Sequence, residues 1–95
     1  MKWKINESHK VKKESKKLAA EIVQHYQAWK QLIIDQGLEG MLSQHGLHEE
    51  HLHGGLSHER SVRLNHHFRV IYRVDKKKGE ILVEDISPHT YRAHR

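Results

Sequence analysis

Arginine, histidine and tyrosine are concentrated in the last third of the chain, between Arg60 and Arg92. Arg63, Arg69 and Arg73 fall inside segments that alternate in the manner of β-strands. A cation in a sheet is costly unless an anion meets it. Arginine binds phosphate oxygens through its fork of N–H groups, and histidine transfers protons near neutral pH. These residue types therefore predict a sheet face that binds a phosphodiester and moves its protons, with RNA as the expected substrate.

RNA cleavage needs a base for the 2′-hydroxyl, a cation for the pentacoordinate phosphate and an acid for the leaving 5′-oxygen. Arg63 and Arg69 lie on adjoining predicted strands and are expected to converge across a cross-strand pair. His89 and Tyr91 follow the last strand two residues apart, so an extended chain points them the same way. These four residues are the predicted catalytic set, which requires no metal ion or other cofactor. The predicted further RNA contacts are Arg60, Arg73, Arg92, His53, His58, Lys10, Lys12 and Lys13.

Each of these residues also has a plain structural interpretation. An arginine in an edge strand often serves only to prevent aggregation, and Arg73 fits that description best. His89 follows Ser-Pro and could simply cap a turn. Tyr72 is expected in the core, and Lys76 to Lys78 are expected to form a solvated turn.

The secondary-structure elements that must position these site residues are helices in the N-terminal half of the chain and strands in the C-terminal half. Ser8 is predicted to be a helix N-cap. After it, apolar residues at helical spacing predict either one long amphipathic helix or two, ending at Gly37: Val11, Leu18, Ile22, Tyr26, Trp29 and Ile33. Five further segments are predicted as an edge strand at 3–5, a short helical turn at 38–44, and strands at 61–64, 68–75 and 80–86. Gly79 supplies the positive φ of the last hairpin turn, and Pro88 closes the last strand.

This order predicts an α+β fold in which the N-terminal helical region packs on one face of a small, mainly antiparallel sheet. The chain has 95 residues and no internal repeat, so residues 1–95 are expected to form a single domain. In the third strand, Ile81, Val83 and Asp85 are expected on one face, opposite Leu82, Glu84 and Ile86.

A histidine-rich segment, HGLHEEHLHGGLSH, joins the helical half to the strands and is predicted to be a loop. His48, His51 and His53 have a spacing similar to that of metal ligands. The text HEEH lacks one residue of the zinc motif HExxH, and a glycine-bearing loop need not bring its histidines together. We therefore expect no native metal site, and an alternative role in lining the substrate groove for His53 or His58.

The charge balance favours a polyanionic partner. Lysine and arginine number 17 against 12 acidic residues, giving a net charge of +5 and a pI near 9.6. The chain has no cysteine, which excludes disulfides and thiolate metal sites and suits a reducing compartment. No apolar run is long enough for a membrane span, and the N-terminus has no signal-peptide pattern. The expected setting is the cytoplasm, with no membrane partner.

The C-terminal sequence contains SVRLN, followed by FRVIYRV, a short turn, a strand and ISPHTYR. In these motifs it resembles the RelE/HigB-like toxins of bacterial type II toxin–antitoxin systems. The resemblance covers nearly the whole chain and implies the small microbial-ribonuclease-like α+β fold. It implies an endoribonuclease that cuts mRNA on the 70S ribosome and arrests growth. It also implies a cognate antitoxin that neutralises the toxin, in a complex that often binds its own operator DNA.

The same resemblance assigns roles to individual residues. Arg63 matches a basic position of the first central strand, and Arg69 matches the arginine that contacts the scissile phosphate. His89 and Tyr91 match the catalytic C-terminal end of the family, and Arg92 a further phosphate contact. For the general base, the order of preference is His89, then His58 or His53, then Glu59.

Two departures separate the chain from its nearest branches. The lysine-rich set of the RelE type is absent, with Ser61 in one such place, and Thr90 separates the adjacent histidine and tyrosine of the YoeB type. Two alternatives stay open: a ParE-like DNA gyrase inhibitor without catalysis, and an inactive nucleic-acid-binding homologue. The ending PHTYR favours the mRNA-cleaving branch over the ParE-like branch.

Overall fold

A computed structural model describes residues 2–51 and 59–88 of the chain. The sheet has five strands in the order β1-β5-β4-β3-β2. β1 pairs with β5 in parallel, and the other neighbouring strands are antiparallel. The strands are β1 Lys4–Glu7, β2 Glu50–His51, β3 Glu59–Arg63, β4 Phe68–Asp75 and β5 Glu80–Pro88, and the α-helices are α1 His9–Glu14 and α2 Ala20–Leu42. The predicted α+β class and the edge position of the N-terminal strand are therefore confirmed.

The helices bury the apolar stripe that the sequence predicts, and they do so against one face of the sheet. Ile22, Tyr26, Trp29 and Ile33 of α2 are buried with Val70, Tyr72, Ile81 and Val83 of the sheet in one cluster. The rings of Trp29 and Tyr72 join the two layers, with their centroids 5.2 Å apart. Neither helix of the described part of the chain combines the length and the apolar character needed to cross a membrane.

The helical region divides into two helices, one of the two forms that the sequence left open. Ser8 caps α1, because its hydroxyl oxygen accepts a hydrogen bond from the Val11 amide at 3.1 Å and donates one to the Glu84 carbonyl at 3.1 Å. A 3₁₀ turn, Ser15–Lys17, ends α1 and turns the chain towards α2. This double role of Ser8 fixes the start of α1 to β5.

Gly37 interrupts α2 with a φ of 77°, a conformation that side chains with a Cβ rarely adopt. We expect Gly37→Ala to lower the free energy of unfolding by about 1–3 kcal/mol. The cause would be backbone strain, because an added Cβ meets only Trp3, at an ordinary contact distance of 3.4 Å. Urea unfolding measures the loss. Gly46→Ala is the control, since its Cβ would meet no atom within 4 Å, and an equal loss in both variants would contradict the strain.

One loop prediction and one strand prediction need correction. The segment 45–58 is predicted to be a loop, but its described part, 45–51, contains a 3₁₀ turn, His45–Leu47, and the strand β2, whose two residues are too few to show an alternating pattern. In β5, Asp85 does not share the face of Ile81 and Val83, because the register shifts between Asp85 and Val83. Glu84 is the extra residue of this bulge, and Ile86 takes the buried position instead.

Candidate functional site

The sheet face opposite the helices carries the arginines, and we call it the arginine face, defined by Arg63, Arg69 and Arg73. Val62, Val70 and Tyr72 point to the helices and are fully buried. Their neighbours Arg63, Arg69 and Arg73 therefore point to the other face, because successive side chains of a strand alternate. The pairing Arg63↔Arg69 between β3 and β4 confirms the predicted cross-strand pair.

Arg63 and Arg69 face each other without a counter-charge from the described residues. No carboxylate of residues 2–51 or 59–88 lies within 4 Å of either guanidinium. Both side chains are half-buried, and the Nε of Arg69 is buried with no hydrogen-bond partner in the described part of the chain. Like charges directly opposite each other destabilise a sheet, and a buried donor without a partner is costly. An anion between the two guanidinium groups would supply the negative charge that the described residues do not provide.

Arg73, by contrast, is neutralised on the same face. Its Nε lies 2.7 Å from Glu84 Oε2, and an Nη lies 3.9 Å from Glu59 Oε2. Burial and a hydrogen bond with Glu59 raise the pKa of Glu84, and the charge of Arg73 only partly opposes them. The guanidinium of Arg73 therefore serves to hold two carboxylates together, whereas the Arg63–Arg69 pair remains without such partners among the described residues.

Glu50 is a candidate that the sequence predictions missed. It pairs with Ser61, and Ser61 pairs with Ile71, so Glu50 belongs to the arginine face. Its row lies next to the Arg63↔Arg69 row, and two residues along a strand span about 7 Å. Long side chains from both rows can therefore reach one bound phosphodiester. The signal available in the sequence is weak: Glu49 and Glu50 are the only acidic residues between positions 45 and 58.

Glu59, the third choice for the general base, lies farther from the arginine pair. It is in register with Arg73, two rows from Arg63↔Arg69. Its carboxylate is also engaged, by Arg73 and by the hydrogen bond with Glu84. Of the acidic residues on β2 and β3, Glu50 is thus nearer to the arginine pair than Glu59.

Arg60 lies on the opposite side of the sheet from Arg63 and Arg69. It is in register with the buried Tyr72, and its guanidinium lies 3.9 Å from Glu49. The structure does not bring it together with the arginine pair, although it belongs to the same strand as Arg63. Because the side chains of β3 alternate between the two faces of the sheet, Arg60 and Arg63 lie on opposite faces.

The three lysines of α1 have different surroundings. Lys10 reaches Asp85 at 3.2 Å, at the margin of the arginine face where Asp85 pairs with Ile71. The charge of Lys12 acts instead on Glu7, on the helix side. Lys13 is exposed in the last turn of α1. Only Lys10 is therefore brought close to the arginine face.

Five of the predicted site residues lie outside the described residues: His53, His58, His89, Tyr91 and Arg92. The last described residue, Pro88, pairs with Phe68, the neighbour of Arg69. Within residues 2–51 and 59–88, no group of three or more histidine or acidic side chains is arranged to hold a metal ion.

Comparison with known proteins identifies the fold. No protein-family model matches the chain, and no curated protein matches it. Among solved structures, an archaeal RelE–RelB complex from Pyrococcus horikoshii superposes with a TM-score of 0.75 at 17% identity, covering 96% of this chain and 99% of that chain. The YoeB–YefM complex from Staphylococcus aureus gives 0.71 at 22% identity, covering 95% and 100%. The DinJ–YafQ toxin–antitoxin complex from E. coli gives 0.70 at 16% identity, covering 94% of each chain.

These similarities extend over almost the full length of both chains. The protein therefore has the fold of the RelE, YoeB and YafQ toxins, and the resemblance that its sequence carries is confirmed at the level of the fold. At identities of 15–22%, the superpositions establish the architecture, and the chemistry has to be argued from the side chains of this chain.

Proposed function

We propose that this protein is a growth-inhibiting toxin that cleaves mRNA on the ribosome without a metal ion and is neutralised by a cognate antitoxin. The observation that carries the proposal is the Arg63↔Arg69 pair, two half-buried cations in direct register with no carboxylate of the described residues within 4 Å of either guanidinium. A phosphodiester supplies the missing negative charge, and its oxygens suit the forked donors of arginine. The toxin fold supports the same function.

The proposed mechanism uses the two rows of the arginine face. Glu50 accepts the proton of the 2′-hydroxyl, and the 2′-oxygen attacks the phosphorus. Arg63 and Arg69 neutralise the charge that develops on the phosphate oxygens of the pentacoordinate transition state. The bond from phosphorus to the 5′-oxygen then breaks, which leaves a 2′,3′-cyclic phosphate and a 5′-hydroxyl.

The leaving 5′-oxygen needs a proton, and we assign this step to His89 or Tyr91. His89 is bonded to Pro88, whose cross-strand partner Phe68 is adjacent to Arg69. Pro88 thus lies one row from the arginine pair, and His89 and Tyr91 follow it within three residues of chain. With Glu50 as the general base, His89 serves as the general acid. The sequence alone favoured His89 as the base.

The proposed partners follow from charge and from the fold. A net charge of +5 favours ribosomal RNA and mRNA, and also an acidic antitoxin. Three structures that share this fold also contain an antitoxin, namely RelB, YefM or DinJ. An antitoxin that covers the arginine face would block the phosphate site directly. Lys10, Lys12 and Lys13 of α1 are the proposed contacts to ribosomal RNA.

A primer-extension assay on a defined mRNA, with purified protein and with or without programmed 70S ribosomes, tests the function. We expect new 5′ ends in the mRNA only when ribosomes are present, as the resemblance to RelE/HigB-like toxins implies. Cleavage of free RNA would keep the nuclease and remove the ribosome from the mechanism. No cleavage in either reaction, together with inhibition of purified DNA gyrase, would select the ParE-like alternative. Harmless expression without an antitoxin would select an inactive homologue.

A further inference from the structure

Glu49 is fixed on the helix side of the sheet by two partners. Its Oε2 lies 3.9 Å from an Nη of Arg60 and accepts a hydrogen bond from the Tyr72 hydroxyl at 3.5 Å. The side chains of Glu49 and Arg60 are only 17% and 16% exposed. We call these three residues, Glu49, Arg60 and Tyr72, the Glu49 anchor.

The anchor acts on the residue next to it. Successive side chains in an extended chain point to opposite faces, so Glu49 points to the helices and Glu50 to the arginine face. β2 consists of Glu50 and His51 alone, and its register rests on the pairs Glu50↔Ser61 and His51↔Arg60. Two ladder pairs constrain a strand weakly. The contacts of Glu49 therefore add a further constraint on the backbone of Glu50 beside the ladder pairs.

Burial strengthens this arrangement. Tyr72 is fully buried, and burial followed by the charge of Glu49 raises the pKa of its hydroxyl, with Arg60 opposing. The phenol thus stays protonated and remains a hydrogen-bond donor to Glu49. The ion pair with Arg60 is shielded from water, where such a pair is stronger than at an exposed surface.

We propose that the Glu49 anchor positions Glu50 for proton transfer, and that Arg60 is a positioning residue and not an RNA contact. The inference rests on the proposed function, since it presupposes that Glu50 serves as the base. Small misplacements of a reacting group lower a rate by up to about 10²-fold. The anchor therefore acts on the rate of the chemical step and not on the binding of mRNA.

The chain offers a matched control on the other edge of the sheet. Glu7 of β1 accepts a hydrogen bond from the Tyr26 hydroxyl at 2.5 Å and pairs with Lys30 at 3.1 Å. It is likewise a carboxylate held by a tyrosine and a cation, on the helix side. β1 and β2 are the two outermost strands of the sheet, so Glu7 lies far from Glu50.

The test compares Glu49→Gln with Glu7→Gln in steady-state mRNA cleavage on programmed ribosomes. We expect Glu49→Gln to lower kcat about tenfold with KM within about twofold. Glu7→Gln should leave both constants unchanged, even though it lowers the melting temperature. Arg60→Lys, which keeps the cation, should retain activity within about threefold of the unmodified protein. If Glu49→Gln melts below the assay temperature, Arg60→Met is expected to give the same loss in kcat.

A double variant separates positioning from a general effect on the fold. In the Glu50→Gln background, adding Glu49→Gln should cause no further loss, because the anchor acts only through Glu50. If the losses of the two single variants multiply in the double variant, the inference is overturned. Equal cleavage rates for Glu49→Gln and Glu7→Gln would also overturn it. An unmodified protein that does not cleave counts against the proposed function itself, and the inference is lost with it. Cleavage that is insensitive to Glu49→Gln counts against the anchor alone.

Discussion

Replacing Arg69 by methionine should lower the rate of mRNA cleavage by about 10²- to 10³-fold, the usual cost of removing one donor that stabilises a transition-state charge. The same change should leave the fold intact and raise the free energy of unfolding by about 0.5 kcal/mol. The gain is expected because methionine keeps an unbranched apolar stem and ends the repulsion between Arg63 and Arg69, which face each other across two strands. Single-turnover cleavage and urea unfolding measure the two effects.

A lower cleavage rate together with a higher stability would show that Arg63 and Arg69 serve the reaction and not the fold. Arg69→Lys keeps the charge and loses the forked geometry, so its rate should fall between those of the methionine variant and the unmodified protein. Lys77→Met, in the exposed turn between β4 and β5, is the control for a general loss of positive charge. Loss of both stability and activity in Arg69→Met would mean that the arginine serves the fold, and the proposed phosphate site would be wrong.

β4 could be predicted from sequence because its alternating pattern has only one interpretation. β4 runs from Phe68 to Asp75, as predicted, since apolar Val70 and Tyr72 alternate with Arg69 and Arg73. The same alternation placed Arg63 and Arg69 on one face. The alternating pattern of β5 predicted the wrong face for Asp85, because a bulge at Glu84 changes the face of every residue after it. A bulge depends on the pairing with a neighbouring strand, which the sequence of β5 alone does not show.

The acidic side of the candidate site was beyond prediction for a related reason. β2 contains two residues, and neither is apolar, so no periodicity distinguishes it from a loop. Its existence depends on the pairing with β3 and on the contacts of Glu49 with Arg60 and Tyr72. The role of Arg60 follows from the same pairing, because register alone decides that it faces the helices. Long-range pairing thus separates two arginines that the sequence groups together.

Replacing Glu50 by glutamine should lower cleavage by about 10²- to 10⁴-fold, the usual contribution of a general base. Glutamine has nearly the same shape and accepts no proton at neutral pH. Glu50 is exposed and forms no ion pair with the described residues, so the melting temperature should stay unchanged. Glu39→Gln, an exposed change on α2, is the matched control.

The dependence of rate on pH then distinguishes Glu50 from His89 as the base. If Glu50 takes the proton, Glu50→Gln should lose the limb of the pH–rate profile that requires a deprotonated base. His89→Gln should keep that limb and lose the limb that requires a protonated acid, which serves the leaving 5′-oxygen. The reverse assignment of the two limbs would return the base to His89. It would leave the carboxylate of Glu50 with an electrostatic role only, beside the two arginines that bind the phosphate.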